Sequence, residues 1–261
     1  MTAVRGGLRS WLLSELRYVL TALAYFTRIP VPRWVGYEAH YLNAAARYFP
    51  LVGLLVGAVA AGTYWLALQV WTPAIAVLLS MAATLLLTGA FHEDGLADSM
   101  DAFGGGYTRE DTLRIMHDSR IGTFGAVALV VVLALKWQAL AALPPTLAIG
   151  TMVAAHGASR LFAIAYLRTL PYVRPEGKAK PVARDLHGAA LAVATVCGCA
   201  PLFGLPWPLA LAIPLVLLPL WLWLGAYFRR RLSGYTGDCL GMAQQLAELT
   251  ILLLVAAWTS F

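Results

Sequence analysis

Residues 48–91 read YFPLVGLLVGAVAAGTYWLALQVWTPAIAVLLSMAATLLLTGAF and contain no charged side chain. A helix that crosses a lipid bilayer needs about 20 predominantly apolar residues. This stretch is therefore long enough for two such helices, and Trp71 and Thr72 lie at the turn between them. We expect spans at 48–70 and 73–91.

Other stretches of the chain have a similar apolar character. The N-terminal segment 11–26 is less apolar because Glu15 and Arg17 interrupt it, so it is either an interfacial helix or a further span. The whole chain is 60% hydrophobic and 12% charged, whereas soluble domains are about 25% charged. The sequence predicts a single all-α domain over 1–261, a polytopic membrane helical bundle of about seven transmembrane helices plus an N-terminal interfacial helix. The other five predicted spans are 121–140, 146–167, 188–205, 208–228 and 240 to the C-terminus.

Basic residues fall on one side of this predicted bundle. Seven spans alternate sides, so the connections at 28–47, 92–120, 168–187 and 229–238 share a side, and these carry most of the 19 Lys and Arg. By the positive-inside rule that side is cytoplasmic. The net charge is +6, but the basic residues form no continuous stripe. This excludes nucleic acid as a partner and favours the lipid bilayer or a phosphate-bearing substrate.

An acidic string, F-H-E-D-G-L-A-D-S-M-D-A-F-G-G-G, occupies 91–106. Asp94, Asp98 and Asp101 are spaced i, i+4 and i+7, which places them on one face of a helix. Like charges on one face repel, and a divalent cation such as Mg²⁺ or Mn²⁺ would relieve that repulsion. The following glycines, Gly104, Gly105 and Gly106, let backbone N–H groups approach a phosphate. The alternative is a solvated acidic loop.

Two further polar strings lie in the predicted cytoplasmic connections. M-H-D-S-R-I-G-T-F-G at 116–125 contains Asp118, a possible metal ligand, and Arg120, which could clamp a phosphate. An equally good reading makes Asp118 part of a helix start. S-G-Y-T-G-D-C-L-G-M at 233–242 contains Asp238, the one acidic residue of its loop.

Ionisable residues also occur within the predicted spans, where burial is costly and a functional role is the default hypothesis. Glu248 follows Gln244 and Gln245, while His156 and Arg160 lie in another span. A structural ion pair between Glu248 and Arg160 would offset both burial costs. Cys197, Cys199 and Cys239 are interpreted as small apolar residues.

Taken together, four strings resemble the cobalamin synthase family, the adenosylcobinamide-GDP ribazoletransferases. They are L-T-A-L-A-Y-F-T-R-I-P-V-P at 20–32, H-E-D-G-L-A-D-S-M-D-A-F-G-G at 92–105, R-I-M-H-D-S-R-I-G-T-F-G at 114–125 and G-Y-T-G-D-C-L-G at 234–241. Their order, on a chain of this length and apolarity, makes the resemblance specific, and it covers most of the chain.

The resemblance implies that adenosylcobinamide-GDP and α-ribazole, or its 5′-phosphate, are joined with release of GMP. It also implies Mg²⁺ as cofactor, a bacterial cytoplasmic membrane with the active site facing the cytoplasm, and possible contact with other cobalamin-pathway enzymes. On this reading Asp94, Asp98 and Asp101 bind metal, and one of them or Asp118 accepts the hydroxyl proton. The phosphate ligands would be Arg120 and Gly104, Gly105 and Gly106; Asp238 completes the metal shell or positions ribazole, and Arg28 contacts the other substrate.

Other protein classes remain alternatives. Membrane CDP-alcohol phosphotransferases read D-G-x-x-A-R, and D-G-L-A-D at 94–98 departs from this at the Arg position. Polyprenyl transferases usually have two aspartate clusters, and one is clear here. A cation transporter would also carry carboxylates near its spans, but transporter sites usually lie near the bilayer midplane, whereas this cluster is predicted at the cytoplasmic interface.

Overall fold

The computed structural model describes residues 2–36, 38–173, 186 and 188–260. These residues are almost entirely helical, and the one pairing of β type that they contain is an isolated bridge between Tyr172 and Tyr235. The predicted all-α fold is confirmed. The α-helices are α1 (Thr2–Phe26), α2 (Ala39–Ala45), α3 (Phe49–Ala67), α4 (Pro73–Thr88), α5 (Phe91–Gly105), α6 (Arg109–Ile115), α7 (Thr123–Ala141), α8 (Pro145–Ile164), α9 (Gly188–Cys199), α10 (Trp207–Leu232) and α11 (Gly237–Trp258).

Five helical stretches of the described chain are long and apolar enough to cross a membrane. The chain is therefore a multi-pass membrane protein. The predicted span 188–205 is shorter than expected: α9 ends at Cys199 and continues as a 3₁₀-helix to Gly204. At about 1.5 Å per residue, a twelve-residue helix is too short for a hydrocarbon core of about 30 Å. The five stretches are His40–Ala67, Thr123–Ala141, Pro145–Arg168, Trp207–Leu232 and Gly237–Trp258.

The predicted span 73–91 is a bent pair of helices rather than one straight helix. α4 ends at Thr88, and the chain turns by 88° into α5, so the two count as one further span at most. Gly89 and Ala90 both adopt left-handed backbone conformations, with φ of 67° and 56°. A left-handed residue ends an α-helix, and two in succession redirect the chain. This break is what carries the acidic string of α5 out of the line of α4.

Close helix packing around glycine assembles the centre of the bundle. α3 lies against α8 at Gly53 and Gly57, one turn apart. A Cβ at Gly57 would lie 2.7 Å from Val153 Cα, and one at Gly53 would collide with the carbonyl oxygen of His156. Small residues at this spacing let transmembrane helices approach closely, and here they bring α8 to the bundle axis.

The charged residues that make 11–26 less apolar than the other predicted spans bond to other parts of the protein. The Arg47 guanidinium donates to both Glu15 carboxylate oxygens at 2.7 and 2.8 Å, and the Tyr48 hydroxyl donates to the same carboxylate. The helix predicted there is confirmed as α1, and its interfacial position remains a prediction. Within the basic connection 168–187, residues 174–185 and 187 lie outside the described residues.

Candidate active site

The acidic string forms one continuous helix, α5, which passes through Gly95 without a break. Asp94 is exposed, and Asp98 and Asp101 are partly buried. The predicted helical spacing of these three carboxylates is therefore present. Glu93 turns the other way, into the bundle, where its Oε1 accepts a hydrogen bond from Gln245 Nε2 at 2.9 Å.

Asp238 comes close to this helix because α11 crosses α5 at a pair of glycines. A Cβ at Gly95 would lie 3.1 Å from the carbonyl oxygen of Asp238, and one at Gly241 would lie 3.0 Å from Gly95 Cα. Contacts this short are tighter than an added Cβ normally makes, so the two backbones are in close contact. Asp238, in the first turn of α11, is thereby held beside the turn of α5 that carries Asp94 and Asp98.

Asp101 is bonded to the start of α7. Its Oδ2 accepts the backbone N–H of Gly122 at 2.7 Å, and its Oδ1 accepts that of Gly125 at 2.8 Å. The first N–H groups of a helix have no partner within the helix, and a carboxylate there also interacts favourably with the helix dipole. A Cβ at Gly122 or Gly125 would collide with this carboxylate. Asp101 thus caps α7, a role not predicted from the sequence.

The described residues contain no group of three or more His, Cys, Asp or Glu side chains placed to hold a metal ion. The carboxylates of α5 and α11 therefore do not form a closed metal cage by themselves. Mg²⁺ is usually held by one or two carboxylates together with substrate phosphates and water. The donor set fits that incomplete type of site, and the assignment of Asp94, Asp98 and Asp101 as metal ligands remains a prediction.

Asp118 and Arg120 form an ion pair in the connection between α6 and α7. Arg120 Nη2 lies 2.7 Å from Asp118 Oδ2, and the Arg120 backbone N–H donates to Asp118 Oδ1 at 3.1 Å. The side-chain hydrogen bonds from Arg120 lower the pKa of Asp118 to about 2. A carboxylate with so low a pKa is a weak proton acceptor. Arg120 is 85% exposed, so its guanidinium is accessible to an anionic ligand.

Close packing accounts for two of the three glycines that end α5. A Cβ at Gly104 would lie 2.6 Å from the ring of Phe124, and one at Gly106 would lie 2.5 Å from Thr112 Oγ1. Arg231 Nη2 donates to the carbonyl oxygen of Gly106 at 2.6 Å. This end of α5 is held against α7, α6 and α10, and phosphate binding by the glycine backbone remains a prediction.

Arg28 lies at the break between α4 and α5. Its backbone N–H donates to the carbonyl oxygen of Leu87 at 2.8 Å, and its guanidinium packs over Gly89. The structure therefore brings Arg28 to the N-terminal end of the acidic helix. Its contact with substrate remains a prediction.

The intramembrane charges pair differently from the sequence expectation. Glu248 Oε1 accepts from Lys136 Nζ at 2.7 Å, and Glu248 Oε2 lies 3.2 Å from His156 Nδ1. Arg160 instead donates to the carbonyl oxygen of His156 at 2.9 Å. Lys136 falls within the predicted span 121–140, but nothing in its spacing identifies Glu248 as its partner.

Comparison with known proteins identifies the family. A family model described as cobalamin-5-phosphate synthase matches residues 18–256. The adenosylcobinamide-GDP ribazoletransferase of Ralstonia pickettii (strain 12J) is 59% identical over 246 residues, which cover 92% of this chain and 95% of that protein. The protein of the same description from Shewanella frigidimarina (strain NCIMB 400) is 46% identical over 253 residues, covering 94% and 96%. No solved structure matches the chain.

The predicted family resemblance is therefore confirmed over most of the sequence, and all four strings that carried it lie within residues 18–256. The chain belongs to the cobalamin-5-phosphate synthase family.

Proposed function

We propose that this chain joins adenosylcobinamide-GDP to α-ribazole, or to its 5′-phosphate, and releases GMP. The product is adenosylcobalamin or its 5′-phosphate. The observation that carries the proposal is the 59% identity, over 92% of this chain, with an adenosylcobinamide-GDP ribazoletransferase. The geometry supports it, because α5, α11 and the α6–α7 connection present carboxylates and an exposed guanidinium, the groups that diphosphate chemistry needs.

The reaction is a transfer at phosphorus. A ribose hydroxyl oxygen forms a bond to the phosphorus nearest cobinamide, and the bond from that phosphorus to the bridging oxygen breaks, so that GMP leaves. The hydroxyl proton passes to a base. Catalysis of this type depends on aligning the nucleophile and stabilising charge on the phosphoryl oxygens.

Asp94 and Asp98 would hold Mg²⁺, with Asp238 of α11 beside them. The ion, when bound, would neutralise charge on the diphosphate. Asp101 already accepts two backbone hydrogen bonds, but each carboxylate oxygen has two lone-pair sites. Its predicted metal bond would therefore be additional to its capping role.

Arg120 would bind phosphoryl oxygens, because its fork of N–H donors matches them bidentately. Asp118 orients that guanidinium by accepting a hydrogen bond from it. With a pKa of about 2, Asp118 is a poorer candidate for the base than the carboxylates of α5. We assign it to positioning Arg120.

Both substrates carry phosphate or ribose groups, so the active site would face the cytoplasm of a bacterial inner membrane. The basic residues support this, since Arg28 packs over Gly89 before α5, Arg231 donates to Gly106 after it, and Arg120 lies two residues before Gly122, which is bonded to Asp101. Association with other enzymes of cobalamin biosynthesis would deliver the corrinoid substrate to this site, and stays a prediction.

The test is a reconstituted reaction with the purified full-length protein. Adenosylcobinamide-GDP, α-ribazole and Mg²⁺ together should give GMP and a corrinoid product, and omission of any one should stop GMP release. GMP release without α-ribazole, or a product formed from CDP-alcohols instead, would contradict the proposal. Uptake of metal into proteoliposomes without nucleotide would favour the transporter alternative.

A further inference from the structure

A chain of buried polar side chains runs through the centre of the bundle and links four helices. Lys136 of α7 donates to Glu248 and to Gln245 of α11, both at 2.7 Å. Gln244 Nε2 donates to Ser159 Oγ of α8 at 2.8 Å and to Glu248 Oε2 at 2.6 Å. Lys136, Gln244, Gln245 and Glu248 are each at most 6% exposed.

Burial of this kind is expensive, and the contacts explain why it is tolerated. A buried ion pair that has further hydrogen bonds recovers much of its desolvation cost, although an apolar replacement is often as stable. The network is therefore weak evidence for a purely stabilising role. None of its members belongs to the residues assigned above to substrate or metal.

The buried network ends on α5 at Glu93, the residue next to Asp94. Gln245 joins Glu93 to Lys136, because Gln245 Oε1 accepts from Lys136 while its Nε2 donates to Glu93 Oε1 at 2.9 Å. The second Glu93 carboxylate oxygen is buried and has no hydrogen-bond partner within the described residues. Gln245 is thus the contact through which the network holds this side chain.

Consecutive residues of an α-helix point about 100° apart. Holding Glu93 toward α11 therefore also sets the direction of Asp94, which is exposed on the outer side of the same turn. Gly95, the next residue, lies directly on the backbone of α11, so this turn of α5 is in close contact with α11. A hydrogen bond beside that contact restrains the rotation of α5 about its axis.

We propose that Glu93 and Gln245 are positioning residues, whose hydrogen bond transmits the buried Lys136–Glu248 network to α5 and fixes the direction of its catalytic carboxylates. This inference rests on the proposed function. On this inference, the buried intramembrane charges help to orient the groups that react at the membrane surface. The length of the Glu93 side chain, which sets its hydrogen bond to Gln245, is required for turnover, whereas its negative charge is not.

Two conservative variants of Glu93 separate the effect of side-chain length from the effect of charge. Glu93→Gln keeps the length of the side chain and the acceptor oxygen but loses the charge, whereas Glu93→Asp keeps the charge and is too short for Gln245. We expect Glu93→Asp and Gln245→Leu to lower kcat by roughly 10- to 100-fold, since a misplacement of about 1 Å costs rates of that order. KM for adenosylcobinamide-GDP should stay within about threefold, because the loss falls on the transition state. Glu93→Gln should keep kcat within about threefold of the wild type.

The matched control is Thr250→Ala on α11. Within the described part of the chain, the Thr250 hydroxyl bonds only the carbonyl oxygen of Leu246 in its own helix, so this variant should behave as wild type. A wild-type kcat in Glu93→Asp would overturn the inference. An equal loss of kcat in Glu93→Gln and Glu93→Asp would also overturn it, because the charge of Glu93 would then be what turnover requires. Loss of thermal stability with unchanged kcat would show a structural role alone. Absence of GMP release by the wild type would instead refute the proposed function.

Discussion

Asp101 Oδ1 on α5 lies 2.8 Å from the backbone nitrogen of Gly125, in the first turn of α7. With the second bond to Gly122, one carboxylate fastens the acidic helix to the helix that follows it. The connection between them carries Asp118 and Arg120. Asp101 therefore fixes the position of the C-terminal end of that connection, where α7 begins.

Replacement of Asp101 by Asn should destabilise the protein by about 1–3 kcal/mol, because the amide group would face a backbone N–H with a donor. We expect a lower thermal midpoint in detergent, measured by intrinsic fluorescence. Glu110→Gln, an exposed carboxylate of α6, is the control and should leave the midpoint unchanged. An unaltered midpoint for Asp101→Asn would show that the cap contributes little.

The glycine crossing of α5 and α11 gives a second prediction. Gly241→Ala would bring a Cβ to 3.0 Å from Gly95 Cα, and two backbones must then move apart. Overpacking of this kind costs about 1–3 kcal/mol, and the movement would displace Asp238 from α5. Both the thermal midpoint and kcat should fall.

Gly62→Ala on α3 is the matched control, because no atom of the described residues lies within 4 Å of the added Cβ. It should keep both quantities at the wild-type level. If Gly241→Ala were as active as Gly62→Ala, close approach of α11 to α5 would not be required for turnover.

These two contacts show what the sequence could and could not predict. The helical spacing of Asp94, Asp98 and Asp101 follows from local periodicity, and α5 has it. The role of Gly122 and Gly125 does not, since their partner Asp101 lies more than 20 positions earlier in the chain. A local pattern identifies a helix start there but not the carboxylate that caps it.

The bend after α4 was missed for a related reason. An apolar run predicts a span by its length, and Gly89 alone is tolerated within such a run. The 88° turn requires Ala90 to adopt a left-handed conformation as well, which alanine rarely does. Packing of Phe91 against Tyr25 and Phe26, rings contributed by α1, accompanies this turn. Such a contact is visible only in three dimensions.

The pair of Asp118 and Arg120 predicts a pH dependence. The pKa of Asp118 in the folded protein is about 2, below its ordinary value of 3.8. The ion pair of Asp118 with Arg120 therefore contributes fully to stability above about pH 4. This contribution is lost only as the pH falls through about 2. The acid limb of the kcat/KM profile should come from another group.

Asp118→Asn should consequently lower kcat/KM, because Arg120 loses its orienting partner, without moving the acid limb measured between pH 5 and 8. A shift of that limb in Asp118→Asn, compared with the wild type in the same buffers, would identify Asp118 as the proton acceptor. That result would contradict the positioning role assigned to it.

The buried pair of Lys136 and Glu248 predicts a large single-site effect. Lys136→Met leaves the Glu248 carboxylate buried beside Gln244 and His156 without its cation, and breaking a buried pair in this way costs about 3–5 kcal/mol. The thermal midpoint should fall sharply. In the double variant Lys136→Met/Glu248→Met no charge of the pair remains, so part of the loss should be recovered. A double variant as unstable as the sum of the single variants would show that the two residues do not interact.

The last prediction concerns the outer face of α5, on which the proposed reaction depends. If Asp98 binds Mg²⁺ with substrate diphosphate, Asp98→Ala should lower kcat by about 100-fold or more, the scale on which loss of one electrostatic contact to a transition state acts. Removal of divalent ions with EDTA should stop the wild-type reaction, and added Mg²⁺ should restore it. A metal ligand differs from a mere surface charge in one respect: its loss raises the Mg²⁺ concentration that gives half-maximal rate. Glu110→Ala removes a carboxylate from neighbouring α6 and should leave that concentration unchanged, so equal Mg²⁺ dependence of Asp98→Ala and Glu110→Ala would exclude Asp98 from the metal site.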